Sequence, residues 1–247
     1  MKKLGLLLCL LLCCAGSLSQ RQVKPFFVQN MIGSGGGSVS WTLMFHVITN
    51  GTGSITTPAV DSTGCNLIVI NGGWFSGAGT PSDSPANTYV RTAANGDTSG
   101  IYSNQVSYVI NPTTSASHTF SFNGSFDVVE VTGWKKTGGT PVFDQQNGTN
   151  YPSATPNTTT IQPNAVTPTA SPSIAIATFT CNDIGGNSPI PATVDSGFTI
   201  SDQQKSSAGT LYSGMAYTNG VGTVSINPTF TMATTLNDIN CSIKSFK

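Results

Sequence analysis

The chain has 247 residues, with ten Lys or Arg against ten Asp or Glu, so its formal net charge is zero and only 8% of positions are charged. Globular domains usually carry about a quarter, and here Thr, Ser, Asn and Gly fill the polar positions instead. With no basic cluster to follow a phosphate backbone, nucleic acid is excluded as a partner.

Lys2 and Lys3 precede an apolar run from Leu4 to Cys14, followed by small residues at Ala15, Gly16, Ser17 and Ser19. That order predicts a secretion signal over residues 1–19, cut between Ser19 and Gln20. The apolar run is 11 residues long, well short of the roughly 20 that span a bilayer. The expected product is soluble, without a membrane span, and secreted or held at the extracellular surface. Lipid anchoring at Cys13 or Cys14 would need a small residue before the cysteine, where Leu12 and Cys13 stand. Cleavage also removes Lys2 and Lys3, leaving eight basic and ten acidic residues and a net charge of −2.

Residues 20–37 form a flexible N-terminal segment whose apolar content is Phe26, Phe27 and Val28, and Gly33–Ser38 (GSGGGS) makes the joint to the rest. From 38 to 247 short β-branched and aromatic runs recur between Gly, Pro, Asn and Asp clusters, without helical periodicity. This predicts an all-β domain, an antiparallel two-layer β-sandwich of jelly-roll type. Trp41 to Val47 alternates as a half-buried strand, and the apolar run from Cys65 to Ile70 belongs in mid-sheet. Further strands are expected at 88–92, 105–110, 118–122, 126–131, 173–181, 198–201, 209–217, 221–226 and 230–233. In the last, 239–243, Ile239, Cys241 and Ile243 point inward while Asn240, Ser242 and Lys244 point to solvent. Residues 147–172, with prolines at 152, 156, 163, 168 and 172, read as a long surface loop or as a linker between two halves.

Five short patterns run through this region: CNLIVI at 65–70, DSPANTY at 83–89, VTP at 166–168, INPTFT at 226–231 and IKSFK at 243–247. Together they resemble a group of exported and phage-encoded jelly-roll-like β-sandwich proteins of unknown function. The resemblance implies the fold and no activity. It places ordinary core residues where Cys65 and Cys241 stand.

The chemistry-bearing residues are few. Two His, nine Asp and a single Glu leave little for acid/base work, and no enzymatic activity is expected. Glu130, in Phe126–Val131, reads as a solvent-facing carboxylate on a strand. His118 shares its alternation with Phe120 and Phe122 and reads as a partly buried core residue. No cofactor is expected. Calcium is the metal that oxygen-rich loops of an extracellular sandwich would hold, with Asp61, Asp83 and Asp97 as candidates, although each also suits capping of its own turn. The cysteines left after cleavage, Cys65, Cys181 and Cys241, allow one disulfide among them, or three small buried hydrophobes. Of five Asn-x-Ser/Thr sequons, at Asn50, Asn123, Asn147, Asn157 and Asn240, chance accounts for several.

Trp134 and Trp74 are the candidate ligand-binding residues, because sugar rings stack on exposed indoles. Trp134, beside Lys135 and Lys136, is expected to be the exposed one. Two functions follow as expectations: a non-catalytic, adhesin-like module that binds a glycan or a cell surface, or a structural subunit of an extracellular filament or virus particle. The subunit would bind copies of itself by docking its N-terminal segment on a neighbour's sheet edge.

Overall fold

A computed structural model describes residues 38–75, 80–92, 95–96, 102–123, 126–151, 158–182, 192–207 and 211–247. The expected signal over residues 1–19, the segment 20–37, Asp97 and Asn157 lie outside them.

The described residues are all β, in sixteen antiparallel strands. The first nine are β1 (Trp41–Asn50), β2 (Ile55–Thr56), β3 (Leu67–Phe75), β4 (Thr80–Asp83), β5 (Val90–Arg91), β6 (Asn95–Gly96), β7 (Tyr102–Ile110), β8 (Phe120–Asn123) and β9 (Phe126–Lys136). They make a large sheet in the order β1-β9-β3-β7-β5, with β6 also on β7, and a small sheet in the order β2-β8-β4. The others are β10 (Phe143–Tyr151), β11 (Thr158–Ile161), β12 (Ser173–Asn182), β13 (Thr193–Val194), β14 (Thr199–Lys205), β15 (Leu211–Val221) and β16 (Phe230–Phe246). Their large sheet runs β10-β16-β12-β15-β14, and β11 and β13 pair with the first part of β16.

The second half therefore repeats the strand order of the first. Each large sheet sets its first strand beside its last, and then continues with the two long strands between them. Where the first half uses β8 and β9, the second uses one strand, β16, with Asp238 in a left-handed conformation (φ 46°) between its two pairing regions. The registers also correspond. Val69 lies between Tyr108 and Thr132, as Ile176 lies between Tyr217 and Lys244. Asn71 lies between Val106 and Glu130, as Thr178 lies between Met215 and Ser242.

Alternation along the strands gives each large sheet two buried faces. On the outer face of the first sheet, Ile68, Ile70, Val129 and Val131 meet Ile55, Phe120 and Phe122 of the small sheet. On that of the second, Ala175, Ala177, Phe179 and Ile243 meet Ile161, Phe230 and Met232. The inner faces pack on each other: Leu67, Val69, Val106 and Trp134 of one sheet against Ile174, Ile176, Met215 and Phe246 of the other. This seam changes several expectations. Asn240, Ser242 and Lys244, expected in solvent, are at most 1% exposed because their side of β16 is the seam. Glu130 is buried there too.

The expected loop 147–172 contains β11 and the end of β10. Their Thr- and Asn-rich residues are held by ladder bonds to β16 rather than by apolar content, which is why composition hid them. The expected strand 221–226 breaks instead after Val221, and Ile226 makes a single bridge to Val166.

Candidate functional site

Trp134 lies near the end of β9, paired on both sides, and is fully buried, which corrects the expectation that it stands exposed. Its ring meets Tyr217 edge-on at 4.7 Å and its Nε1–H donates to Thr132 Oγ1 at 2.9 Å. Both faces of its strand are covered, so no sugar ring can stack on it. Trp74 is placed by backbone register on β3, opposite Ser103, and its side chain lies outside the described ones.

Of the calcium candidates, Asp61 is exposed and caps its own turn, Oδ1 accepting from the Thr63 N–H at 2.9 Å. Hydrogen bonding from the Thr63 side chain, and then from its N–H, lowers the Asp61 pKa. Asp97 lies outside the described residues, and among these no group of three His, Cys, Asp or Glu is arranged to hold a metal ion. Cys65, Cys181 and Cys241 are all buried, the first in one half and the other two in the second, and no disulfide joins them. The possible disulfide among them is thus corrected to three buried thiols. Burial pushes the Cys65 thiol up to about 12, so its reactive thiolate is suppressed.

Asp83 belongs to a network that sequence spacing does not reveal. His118 Nε2 lies 2.9 Å from Asp83 Oδ2 and its Nδ1 lies 2.8 Å from Ser62 Oγ. Tyr89 O–H donates to the same carboxylate oxygen at 2.6 Å, while the Asn87 backbone N–H donates to Oδ1 at 2.7 Å. With Asp83 as the acceptor, Nε2 donates to it, while Nδ1 faces Ser62 Oγ, whose hydroxyl donates to Ser115 O at 3.1 Å. The residue types are those of a nucleophilic triad, but Ser62 and His118 are fully buried and Ser62 Oγ already accepts the Ser115 N–H at 3.0 Å. The His118 ring stacks on Phe120 at 4.2 Å. The network ties the turn after β4 and the 111–118 segment to the small sheet. Burial raises the pKa of Asp83, but donation from Tyr89, Asn87 and His118 more than offsets it, so the net shift is downward.

A second cluster lies at the seam. Glu130 is 1% exposed; Ser201 Oγ–H donates to its Oε1 at 2.6 Å, and Oε2 is buried without a hydrogen-bond partner. Burial holds its pKa well above the usual carboxylate range; the Ser201 bond works against this and neighbouring Asp202 adds to it. His46 Nδ1 lies 3.5 Å from Asp202 Oδ2 at the rim. Burial thus disfavours the charged carboxylate. Its Oε1 accepts from Ser201 across the seam, so the group links the two halves.

No family model, curated protein or solved structure matches the chain.

Proposed function

We propose that the protein is an exported, non-catalytic structural subunit in which each half is a jelly roll, and that it works by contact with copies of itself. One observation carries this reading: the acid–base groups Ser62, His118 and Glu130 are built into the packing. Ser62 and His118 are fully buried and Glu130 is 1% exposed, each with its partner inside the fold. Residues used in this way serve rigidity, and rigidity with a nearly uncharged exterior suits a building block. The strand orders β1-β9-β3-β7 and β2-β8-β4, repeated in the second half, support the jelly-roll reading. Self-assembly is favoured over glycan stacking because Trp134, the aromatic that would carry stacking, is buried. Export rests on the leader at residues 1–19. Assembly rests on Phe26, Phe27 and Val28, which would add a strand to a neighbour's sheet edge.

Light scattering of the processed protein, with and without residues 20–37, tests the proposal. The expected result is an assembly of several copies that becomes monomeric when the segment is removed. A monomer in both cases overturns it, and binding of that monomer on a glycan array would establish the adhesin function instead.

A further inference from the structure

We infer that the two halves are related by a two-fold axis, so that the chain is an intramolecular dimer and the inner sheet of each half is a docking surface for a second copy of the same unit. Repeated strand order alone does not give this, since two copies could equally be stacked in tandem. The contacts across the seam decide it. In a two-fold interface, if residue i of one unit touches j of the other, then the counterpart of j touches the counterpart of i.

The registers supply the counterparts. Leu67 lies between Ile110 and Trp134 as Ile174 lies between Asn219 and Phe246, so Trp134 corresponds to Phe246. Tyr108 corresponds to Tyr217 on the same grounds, through Val69 and Ile176. Across the seam Trp134 meets Tyr217 at 4.7 Å and 70°, and Phe246 meets Tyr108 at 5.3 Å and 78°. These are the reciprocal contacts a two-fold requires.

The polar contacts reciprocate as well. Gly73 lies between Asn104 and Val128 as Thr180 lies between Ser213 and Asn240, so Asn104 corresponds to Ser213 and Gly73 to Thr180. Asn71 donates to Ser213 Oγ at 3.2 Å, and Thr178, the counterpart of Asn71, donates to Asn104 Oδ1 at 2.9 Å. The axis itself is marked by a residue meeting its own counterpart: a Cβ on Gly73 would stand 2.8 Å from Thr180 Oγ1. A side chain can occupy only one of two such positions, and the glycine is in the first half. At the level of elements, β15 faces β3 and β9, while β7 faces β12 and β16.

The symmetry makes a demand on the chain path. Thr137 N–H donates to Ser40 O at 2.9 Å where the first half closes, and Val142 N–H donates to Lys247 O at 2.8 Å where the second closes. The link between the halves is Gly138, Gly139, Thr140 and Pro141. Leu43 pairs with Trp134 as Phe143 pairs with Phe246, so Lys247 corresponds to Lys135 and Ser40 to Thr140; under a two-fold the gap from Lys247 to Ser40 equals the gap from Lys135 to Thr140, which four residues span. In a tandem arrangement the two gaps differ.

The test exchanges the halves without changing composition: residues 1–39, then 142–247, then 138–141, then 40–137. A two-fold gives a monomer whose far-ultraviolet spectrum and single cooperative melt match the native order. Failure to fold, or a dimer formed by exchanged halves, shows that four residues do not reach and overturns the inference. A second measurement does not depend on the exchange: a protease site inserted between Gly139 and Thr140 of the native-order chain is cut under native conditions. The halves are expected to remain together, with unchanged mass in solution. Their separation at micromolar concentration would show that the inner sheets do not dock on their own and would equally overturn it.

Discussion

Glu130 shows how a single side chain can weaken the fold it belongs to. Its carboxyl is sealed in the seam with one oxygen unpartnered, and its folded pKa is raised by burial first. Below the unfolded value of about 4.3 both states are protonated and the raised pKa costs nothing. As pH climbs above that, the unfolded chain releases its proton while the folded chain keeps it, so stability falls until the folded group ionises in turn. Glu130→Gln keeps the shape and the acceptor for Ser201 and removes the titration. By removing that titration it should raise stability at pH 7 by about 1.4 kcal/mol for each unit by which the folded pKa exceeds the unfolded one, and leave stability at pH 4 nearly unchanged. Denaturant midpoints at the two pH values check both. Lys244 is the opposite case, 1% exposed and lowered to about 8 by burial, with the Cys241 thiol as its electrostatic neighbour. A depressed value gives stability that is present above about 10.4 and lost as pH falls through about 8. Lys244→Met should therefore stabilise the protein at pH 7 by about 2–3 kcal/mol and flatten the stability profile between pH 8 and 10, measured by the same titration.

Strands are stabilised here by what covers them, and β9 shows the limit of alternation as a guide. Its sequence, with Gly133 and Trp134 next to Lys135 and Lys136, reads as a strand that ends at Val131, followed by an exposed indole. In the fold β9 continues to Lys136, paired on both sides. Gly133 is not a turn residue; it leaves room for Phe45, which follows a register shift in β1 and stacks on Phe120 at 6.0 Å. An added Cβ would collide with the Phe45 ring and come within 2.8 Å of Cys65 Sγ. Gly133→Ala should cost about 3 kcal/mol or more through overpacking, read as a lower denaturant midpoint with unchanged slope. The apolar runs of β3 and β12 were legible as central strands because both of their faces are buried. Two kinds of feature escaped the sequence. β2, β4, β10, β11 and β13 are short or polar and are set by pairing rather than composition. The polar face of β16 is covered by the other half of the chain, and local periodicity holds no sign of a partner distant in sequence. The Ser62–His118–Asp83 network was hidden for the same reason, its members being brought together only by the small sheet.

At the scale of the whole molecule the seam decides whether the halves behave as one body. It buries Trp134, Phe246, Ile174, Met215 and Leu67 completely, and a network of Asn71, Asn104, Thr178, Thr180 and Ser213 is satisfied only when both sheets are in place. Opening the seam would expose this apolar surface and leave those polar groups without their partners, so neither half has a favourable state with the other unfolded. The three thiols report on this independently, Cys65 from the outer core of the first half and Cys181 and Cys241 from that of the second. In the chain processed at Ser19 no thiol should react with an aromatic disulfide reagent under native conditions. Across a denaturant series all three should become reactive at one midpoint, coincident with the loss of the far-ultraviolet spectrum. Trp134→Ala, which removes the largest side chain in the seam, should lower that midpoint by the equivalent of about 3–5 kcal/mol and separate the exposure of Cys65 from that of the other two. Separate midpoints in the unmutated protein would mean that each half is stable without the seam, and the rigidity on which the building-block reading depends would be lost.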